Sequence, residues 1–161
     1  MSHVDFFRKQ AKNFLKDWKT QKKIEEEGFS YYVYDWKYYH IEDLFDYFEL
    51  SNTDREEIKL ARAQHYIAKM VGFKKWNDLV HAPEKEVKLA EFLLRHFKNS
   101  YHIEDWENIL SHSGVKGKDS ETILDYAKQY YSMYDEDDEY GGKVPFDWDM
   151  DQGYISEYAY D

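Results

Sequence analysis

Histidines and carboxylates are the side chains of this sequence that could carry acid–base or metal chemistry. The chain has seven histidines and 33 acidic residues but no cysteine, which excludes disulfides, zinc–thiolate sites and cysteine nucleophiles. No histidines have the spacing of a metal-binding motif, and there is no nucleophile elbow, glycine-rich phosphate loop or kinase signature. Carboxylate pairs occur throughout the chain, so no pair is diagnostic. We therefore predict no catalytic residues, no metal site and no cofactor, and a protein that is not an enzyme.

Two of the histidines share the same local sequence. Residues 39–43 and 101–105 both read Tyr-His-Ile-Glu-Asp. Acidic residues in the first turn of a helix complement the positive end of its dipole, so both segments predict a helix N-terminus. We expect His40 and His102 each to precede a helix, in a capping or surface role. A decayed duplication of a helical pair is the alternative interpretation.

Charge is divided unevenly along the chain. Residues 135–161 contain ten acidic residues and one lysine, a net charge of −9, and the whole chain carries −11, which leaves −2 for residues 1–134. Aromatic side chains alternate with the acids from Tyr134 onward. Rings supply contact area and carboxylates supply long-range attraction, a combination typical of a binding segment. The residues that we predict to contact a partner are Asp135, Asp137, Asp138, Phe146, Trp148, Asp149 and Tyr154.

Three interpretations of residues 135–161 are open. The segment binds a basic partner protein, or packs on its own body across the basic surfaces, or is a largely disordered tail. The first of these gives the function that we predict: a non-enzymatic acidic protein-binding module such as an inhibitor, antitoxin, immunity-type or adaptor protein. The sequence does not predict the oligomeric state.

A basic surface in the body suggests an alternative function, a nucleic-acid-binding regulator that uses residues 55–79. A helix ending at Gly72, followed by a short helical segment, is similar to the first half of a DNA-binding helix-turn-helix. Tyr66 is expected on the same outward face as the bases, and a solvated face of a packing hairpin is the competing interpretation. The bases predicted for this role are Arg55, Lys59, Arg62, Lys69, Lys74 and Lys75.

The elements that position these residues are predicted to be mainly helical. With 31 aromatic residues, 7 glycines and 2 prolines, the chain is neither disordered overall nor of low complexity. We expect a helical domain over residues 1–134, a small bundle of about five to seven helices with a short aromatic strand or flap near residues 29–39. Residues 135–161 follow as an irregular acidic C-terminal segment. The predicted helices are a first one capped by Ser2, then 41–50, about 53–71, 76–80, 83–97, 103–111 and 120–133.

Membrane association is not predicted. The first helix is amphipathic and residues 8–23 contain seven bases, but most such helices pack one face and solvate the other. No apolar run approaches the length of a membrane span, and the first residues do not open as a signal peptide. The expected location is cytoplasmic.

Residues 60–79 contain the strongest local pattern. Ala-Gln-x-x-Ile-Ala over residues 63–68 leads to Gly-Phe-x-x-Trp-x-x-Leu over residues 72–79, and residues 9–15 read Lys-Gln-Ala-Lys-Asn-Phe-Leu. These stretches, about a quarter of the chain, resemble a short helical module near the N-termini of uncharacterised bacterial proteins, some with ankyrin-like or glyoxalase-related domains. The resemblance implies a bacterial or phage origin and relatedness, but no established activity. Neither domain type follows here.

Overall fold

A computed structural model of the chain describes residues 2–134, and this part is mainly helical, as predicted. It contains eight helices and one two-stranded antiparallel sheet. The elements in chain order are α1 (His3–Trp18), β1 (Lys22–Glu26), β2 (Phe29–Val33), α2 (Ile41–Tyr47), α3 (Asn52–Glu56), α4 (Leu60–Met70), α5 (Trp76–Val80), α6 (Glu84–Leu94), α7 (Ser100–His112) and α8 (Ser120–Tyr134). The acidic segment 135–161 lies outside the described residues. None of the described helices is both long and apolar enough to cross a membrane.

Helix α1 lies at the centre of the core. The Ser2 side chain accepts a hydrogen bond from the backbone N–H of Asp5 at 3.1 Å, which confirms the predicted cap. The apolar face of α1, with Phe7, Ala11, Phe14 and Trp18 buried, packs mainly against α4 and also contacts α6 and α2. Phe14 meets Trp18 edge-on at 6.4 Å between ring centroids, and Trp18 meets Phe45 of α2 at 5.0 Å. Aromatic side chains therefore make up much of the core that the described residues form.

The helix predicted over about 53–71 is two helices, α3 and α4. The Ser51 side chain accepts from the Asp54 N–H, and the Asp54 carboxylate accepts from the Ser51 N–H, so a capping box starts α3 earlier than predicted. The backbone leaves the helical region at Glu57 (ψ 71°) and is extended at Lys59 (φ −143°, ψ 145°). Ile58, within this break, packs against the core. The helix is thus interrupted where the partly buried Ile58 contacts the core, and the spacing of apolar residues in the sequence did not predict this interruption.

The predicted aromatic strand is the second strand of a β-hairpin. Lys22 pairs with Val33 and Glu26 pairs with Phe29, so Glu27 and Gly28 form a two-residue turn. Both have positive φ, 42° and 91°, as a type I′ turn requires. Residues 34–39, predicted as part of the strand or flap, are not in a strand. We did not predict β1, whose sequence Lys-Lys-Ile-Glu-Glu has a single apolar residue.

The chain reverses after α4 at Gly72, as predicted. Gly72 has φ +92°, and the N–H groups of Gly72 and Phe73 donate to the carbonyls of Lys69 and Ala68 at 3.1 and 2.9 Å. This is the hydrogen-bond pattern of a Schellman motif. It directs the short helix α5 back onto α4, where Leu79 is fully buried.

Helices α6 and α8 run side by side in the same direction. Near their N-terminal ends, the Lys85 ammonium is 3.0 Å from a carboxylate oxygen of Glu121. Near their C-terminal ends, the His96 ring stacks on the Tyr131 ring at 3.9 Å between centroids. The end of α8, from which residues 135–161 continue, therefore lies beside the end of α6.

Candidate binding surfaces

The residues predicted to contact a basic partner all belong to the segment 135–161, outside the described residues. The structure describes the helix that leads into this segment. Helix α8 has Glu121 in its first turn and no basic residue in its last turn. The last described turn of α8 therefore supplies no cation to the acids that follow it in the sequence.

The two arginines predicted for nucleic-acid binding are paired with carboxylates. Arg55 lies 2.7 Å from Asp46 of α2, and its side chain is 14% exposed. Arg62 lies 2.7 Å from Glu57 and 3.3 Å from Asp54. These arginines therefore neutralise local acids, and a phosphate would have to compete with those pairs.

The structure also differs from the predicted nucleic-acid surface at Tyr66 and at the second helix. Tyr66, expected on the outward face, is 4% exposed and stacks on Phe48 at 5.4 Å between ring centroids. The would-be recognition helix is α5, whose five residues span about 8 Å at 1.5 Å per residue. Four lysines of the predicted set are exposed and form no ion pair with the described residues; they are Lys59, Lys69, Lys74 and Lys75.

A second basic surface lies on α1, and we call it the α1 groove. It is an open groove of about 360 Å³, lined by Asp5, Arg8, Lys9, Lys12, Asn13 and Lys16. Arg8 is 3.4 Å from Asp5, and both side chains are more than half exposed. Asn13 is 1% exposed, and neither Nδ2 nor Oδ1 of its amide has a hydrogen-bond partner among the described residues. Buried polar atoms are rarely left in this state, and Nε2 of Gln10 on the same helix shares it.

A buried carboxylate lies on the same helix, one turn beyond Asn13. Asp17 is 2% exposed, and its two oxygens accept from the backbone N–H groups of residues 37, 38 and 39 at 3.1, 2.7 and 2.8 Å. Burial raises the pKa of Asp17 to about 6, opposed by these hydrogen bonds and by the charge of Lys37. The carboxylate fastens the chain after the hairpin onto α1.

The two histidine-containing repeats are linked in the fold through Lys98 and Ser100, which lie outside both. The His40 N–H donates to the Lys98 carbonyl at 2.9 Å, and the Lys98 N–H donates to Nδ1 of His102 at 3.1 Å. Asp43 accepts from the N–H and the hydroxyl of Ser100 at 2.6 and 2.9 Å. The two segments therefore join α2 to the start of α7 by polar contacts.

The helix start predicted at His102 is wrong, whereas the one at His40 is confirmed. His40 is the N-cap residue of α2. His102 is the third residue of α7, because the Asn99 side chain accepts from the His102 N–H at 2.9 Å and starts the helix three residues before the predicted Ile103. The same five residues thus occupy different positions in two helices.

A surface cavity of about 240 Å³ adjoins this junction, lined by Trp36, His40, Glu42, Asp43 and Asp46. Burial lowers the pKa of His40 to about 4, and the Trp36 ring lies 4.5 Å from the imidazole ring. Two of the three acids that line the cavity already have partners: Asp43 binds Ser100 and Asp46 binds Arg55. In residues 2–134 no group of three or more histidines and acids could hold a metal ion. The hydrogen bonds of Asp43 and Asp46 to neighbouring residues therefore give these cavity acids a structural role.

The hairpin presents an exposed apolar face. Phe29, Tyr31 and Val33 alternate along β2 and are 58%, 37% and 37% exposed, and the rings of Phe29 and Tyr31 stack at 6.0 Å. Tyr32 points to the opposite side and is buried, with its hydroxyl donating to Glu56. The alternation of β2 is a sequence signal for such a face, but we predicted only a short aromatic strand or flap there, without an exposed side.

The chain matches no family model, no curated protein and no solved structure. The similarity of residues 63–79 to a bacterial helical module stays a prediction. Function is therefore inferred from the charges, burial and contacts of this chain.

Proposed function

We propose that this chain is a non-enzymatic protein-binding module whose segment 135–161 engages a basic partner protein. The observation that carries the proposal is the division of charge, −9 in this segment against −2 in residues 1–134. An inhibitor, antitoxin, immunity-type protein or adaptor would use a segment of this kind. The contacting residues are the predicted ones, with Asp135, Asp137 and Asp138 supplying charge and Phe146 and Trp148 supplying apolar area.

The acids and the rings have different tasks in this proposal. Attraction between charges is screened over about 8 Å at physiological salt, so the acids mainly accelerate encounter. Buried aromatic anchors slow dissociation, because their area must be re-exposed to water. The exposed rings Phe29 and Tyr31 of the hairpin offer the body a further apolar contact with the same partner.

Two variants of the full chain test these separate roles, one with three acids neutralised and one with two aromatic residues removed. A partner captured by the intact chain is purified, and its association and dissociation rates are measured at several salt concentrations. Neutralising Asp135, Asp137 and Asp138 to Asn should slow association and flatten its salt dependence. Phe146→Ala with Trp148→Ala should mainly speed dissociation.

A matched control removes three exposed acids of the body. Asp78→Asn, Glu86→Gln and Glu104→Gln together change the net charge by the same amount and should leave both rates almost unchanged. The proposal is wrong if this control equals the Asp135, Asp137 and Asp138 variant, or if the captured partner is not basic.

The alternative is a nucleic-acid-binding regulator that uses residues 55–79. The four exposed lysines of that surface support it, since they form no ion pair with the described residues. The carboxylate pairs of Arg55 and Arg62 and the shortness of α5 weigh against it. Binding to a basic protein is thus the better supported function.

A further inference from the structure

We propose that the α1 groove is the docking site of the chain's own acidic segment, residues 135–161. The segment would then occupy the groove in the free protein, and a basic partner would have to displace it. This regulatory consequence rests on the proposed function, whereas the docking itself does not.

Charge complementarity favours this occupant. The groove is lined by four bases, Arg8, Lys9, Lys12 and Lys16, and by one acid, Asp5. The segment begins with five consecutive acids, residues 135–139. The bases of the groove and these acids are opposite in charge, and the last described turn of α8 has no basic residue of its own to pair with the acids.

Asn13 indicates that the occupant is a peptide rather than a phosphate. Its buried amide presents a donor, Nδ2, and an acceptor, Oδ1, both without a partner among the described residues. An acidic peptide satisfies both, because its carboxylates and carbonyls accept and its backbone N–H groups donate. The phosphates of a nucleic acid supply acceptors alone and would leave Oδ1 without a donor.

The segment starts close enough to reach the groove. The end of α8 lies beside the end of α6, where the Arg95 guanidinium sits 4.4 Å above the ring of Phe6 in α1. From Phe6 to Lys16 the helix rises about 15 Å, and the 27 residues of the segment span up to roughly 90 Å when extended. Covalent linkage gives the segment an effective concentration on the order of millimolar, which favours it over free anions.

Paramagnetic labelling of the full chain tests the docking. The sequence has no cysteine, so Gly141→Cys and Ser156→Cys each accept one nitroxide label, placed after the two groups of acids. We expect line broadening of the NMR signals of Arg8, Lys12, Asn13 and Lys16 in the free protein. The broadening should be lost at high salt and in the charge-reversal variant Lys12→Glu/Lys16→Glu.

The matched control reverses two exposed lysines of the hairpin. Lys22→Glu/Lys23→Glu changes the net charge equally and should leave the broadening of α1 in place. If Lys12→Glu/Lys16→Glu is misfolded by circular dichroism, the single variant Asn13→Leu replaces it, and we expect loss of the broadening there too. Adding Asp137→Lys/Asp138→Lys to the reversed groove should restore the broadening.

Several outcomes would overturn the proposal. These are no broadening on α1, broadening that persists in Lys12→Glu/Lys16→Glu, or equal loss in the hairpin control. Displacement of the segment by a few millimolar inorganic phosphate at constant ionic strength would show a general anion site instead of a peptide site. Failure of partner capture with the broadening intact would refute the proposed function and leave the docking in place.

Discussion

At the scale of single residues, the fold buries two basic side chains close together in the sequence. Lys98 is fully buried and His96 is 5% exposed. Burial lowers the pKa of Lys98 to about 7, although the Asp17 carboxylate opposes this, and lowers the pKa of His96 to about 3, aided by the charges of His102 and Arg95. In both cases the folded state binds the proton less tightly than the unfolded chain does. Each residue therefore makes the free energy of unfolding rise with pH between its folded and unfolded pKa values.

Lys98→Met should remove a rise of stability on the alkaline side. The unfolded chain holds the lysine proton up to about pH 10.5 and the folded chain releases it near pH 7, so the free energy of unfolding increases with pH between these values. One proton gives a slope of at most about 1.4 kcal/mol per pH unit. Urea unfolding between pH 7 and 9 should show this rise in the natural chain and a flatter dependence in Lys98→Met. The exposed Lys88→Met is the control, and parallel curves for Lys98→Met and the natural chain would contradict the assignment.

His96→Phe should flatten the loss of stability in acid. A histidine with a lowered pKa contributes fully above about pH 6.5, and this contribution is lost as pH falls toward 3. Phenylalanine keeps the stacking on Tyr131 and removes the titration. Asp17, with its raised pKa, acts in the opposite direction between about pH 3.8 and 6, so the difference between variant and natural chain is the quantity to measure. The exposed His112→Phe should retain the full acid dependence; a similar flattening there would refute the role of His96.

At the scale of elements, local patterns predicted the parts whose packing is also local. The spacing of apolar residues and the Ser2 cap predicted α1, and Gly72 predicted the reversal after α4. Strand β1 was missed because its sequence is charged and its stability comes from pairing with β2 across the turn. The break between α3 and α4 was missed because Ile58 packs in a tertiary contact that leaves no trace in the helical period.

The candidate sites likewise combine features that the sequence shows with features that only tertiary packing creates. The bases of α1 are visible in the sequence, but the buried amide of Asn13 among them is a result of packing. The pairing of Arg55 and Arg62 with acids depends on where α2 and α3 lie relative to α4. Residues that are exposed on a helical wheel are therefore not equally available in the folded protein.

Glu27→Asn should stabilise the hairpin. Glu27 has φ 42° in the turn between β1 and β2, a conformation that asparagine adopts at lower cost than glutamate, and Asn-Gly is the preferred sequence of a type I′ turn. We expect the free energy of unfolding to rise by about 0.5–1 kcal/mol, measured by urea denaturation. Glu25→Asn, inside β1, should give no gain, because asparagine is unfavourable in strands. Equal effects of the two substitutions would mean that charge, and not turn conformation, is responsible.

At the scale of the whole molecule, the uneven charge decides which partners can approach. The body is nearly neutral, and its basic surfaces are partly engaged by its own acids. The segment 135–161 supplies most of the negative long-range field, since it carries −9 of the total −11. A field of this sign attracts basic proteins and repels nucleic acid.

The intact chain should therefore bind duplex DNA weakly or not at all near physiological salt. Binding to DNA depends on bases that neutralise phosphates and weakens steeply as salt rises, and the lysines of residues 59–75 act against a net charge of −11. Titration of the full chain with a labelled duplex, repeated at low and physiological salt, measures this. Asp135→Asn with Asp137→Asn and Asp138→Asn should strengthen any residual binding, and Lys69→Ala with Lys74→Ala should abolish it, whereas Lys22→Ala with Lys23→Ala should have a smaller effect. Tight, sequence-dependent binding by the unaltered chain would reverse the order of the two functions, because base readout by residues 55–79 would then have overcome the repulsion of the segment.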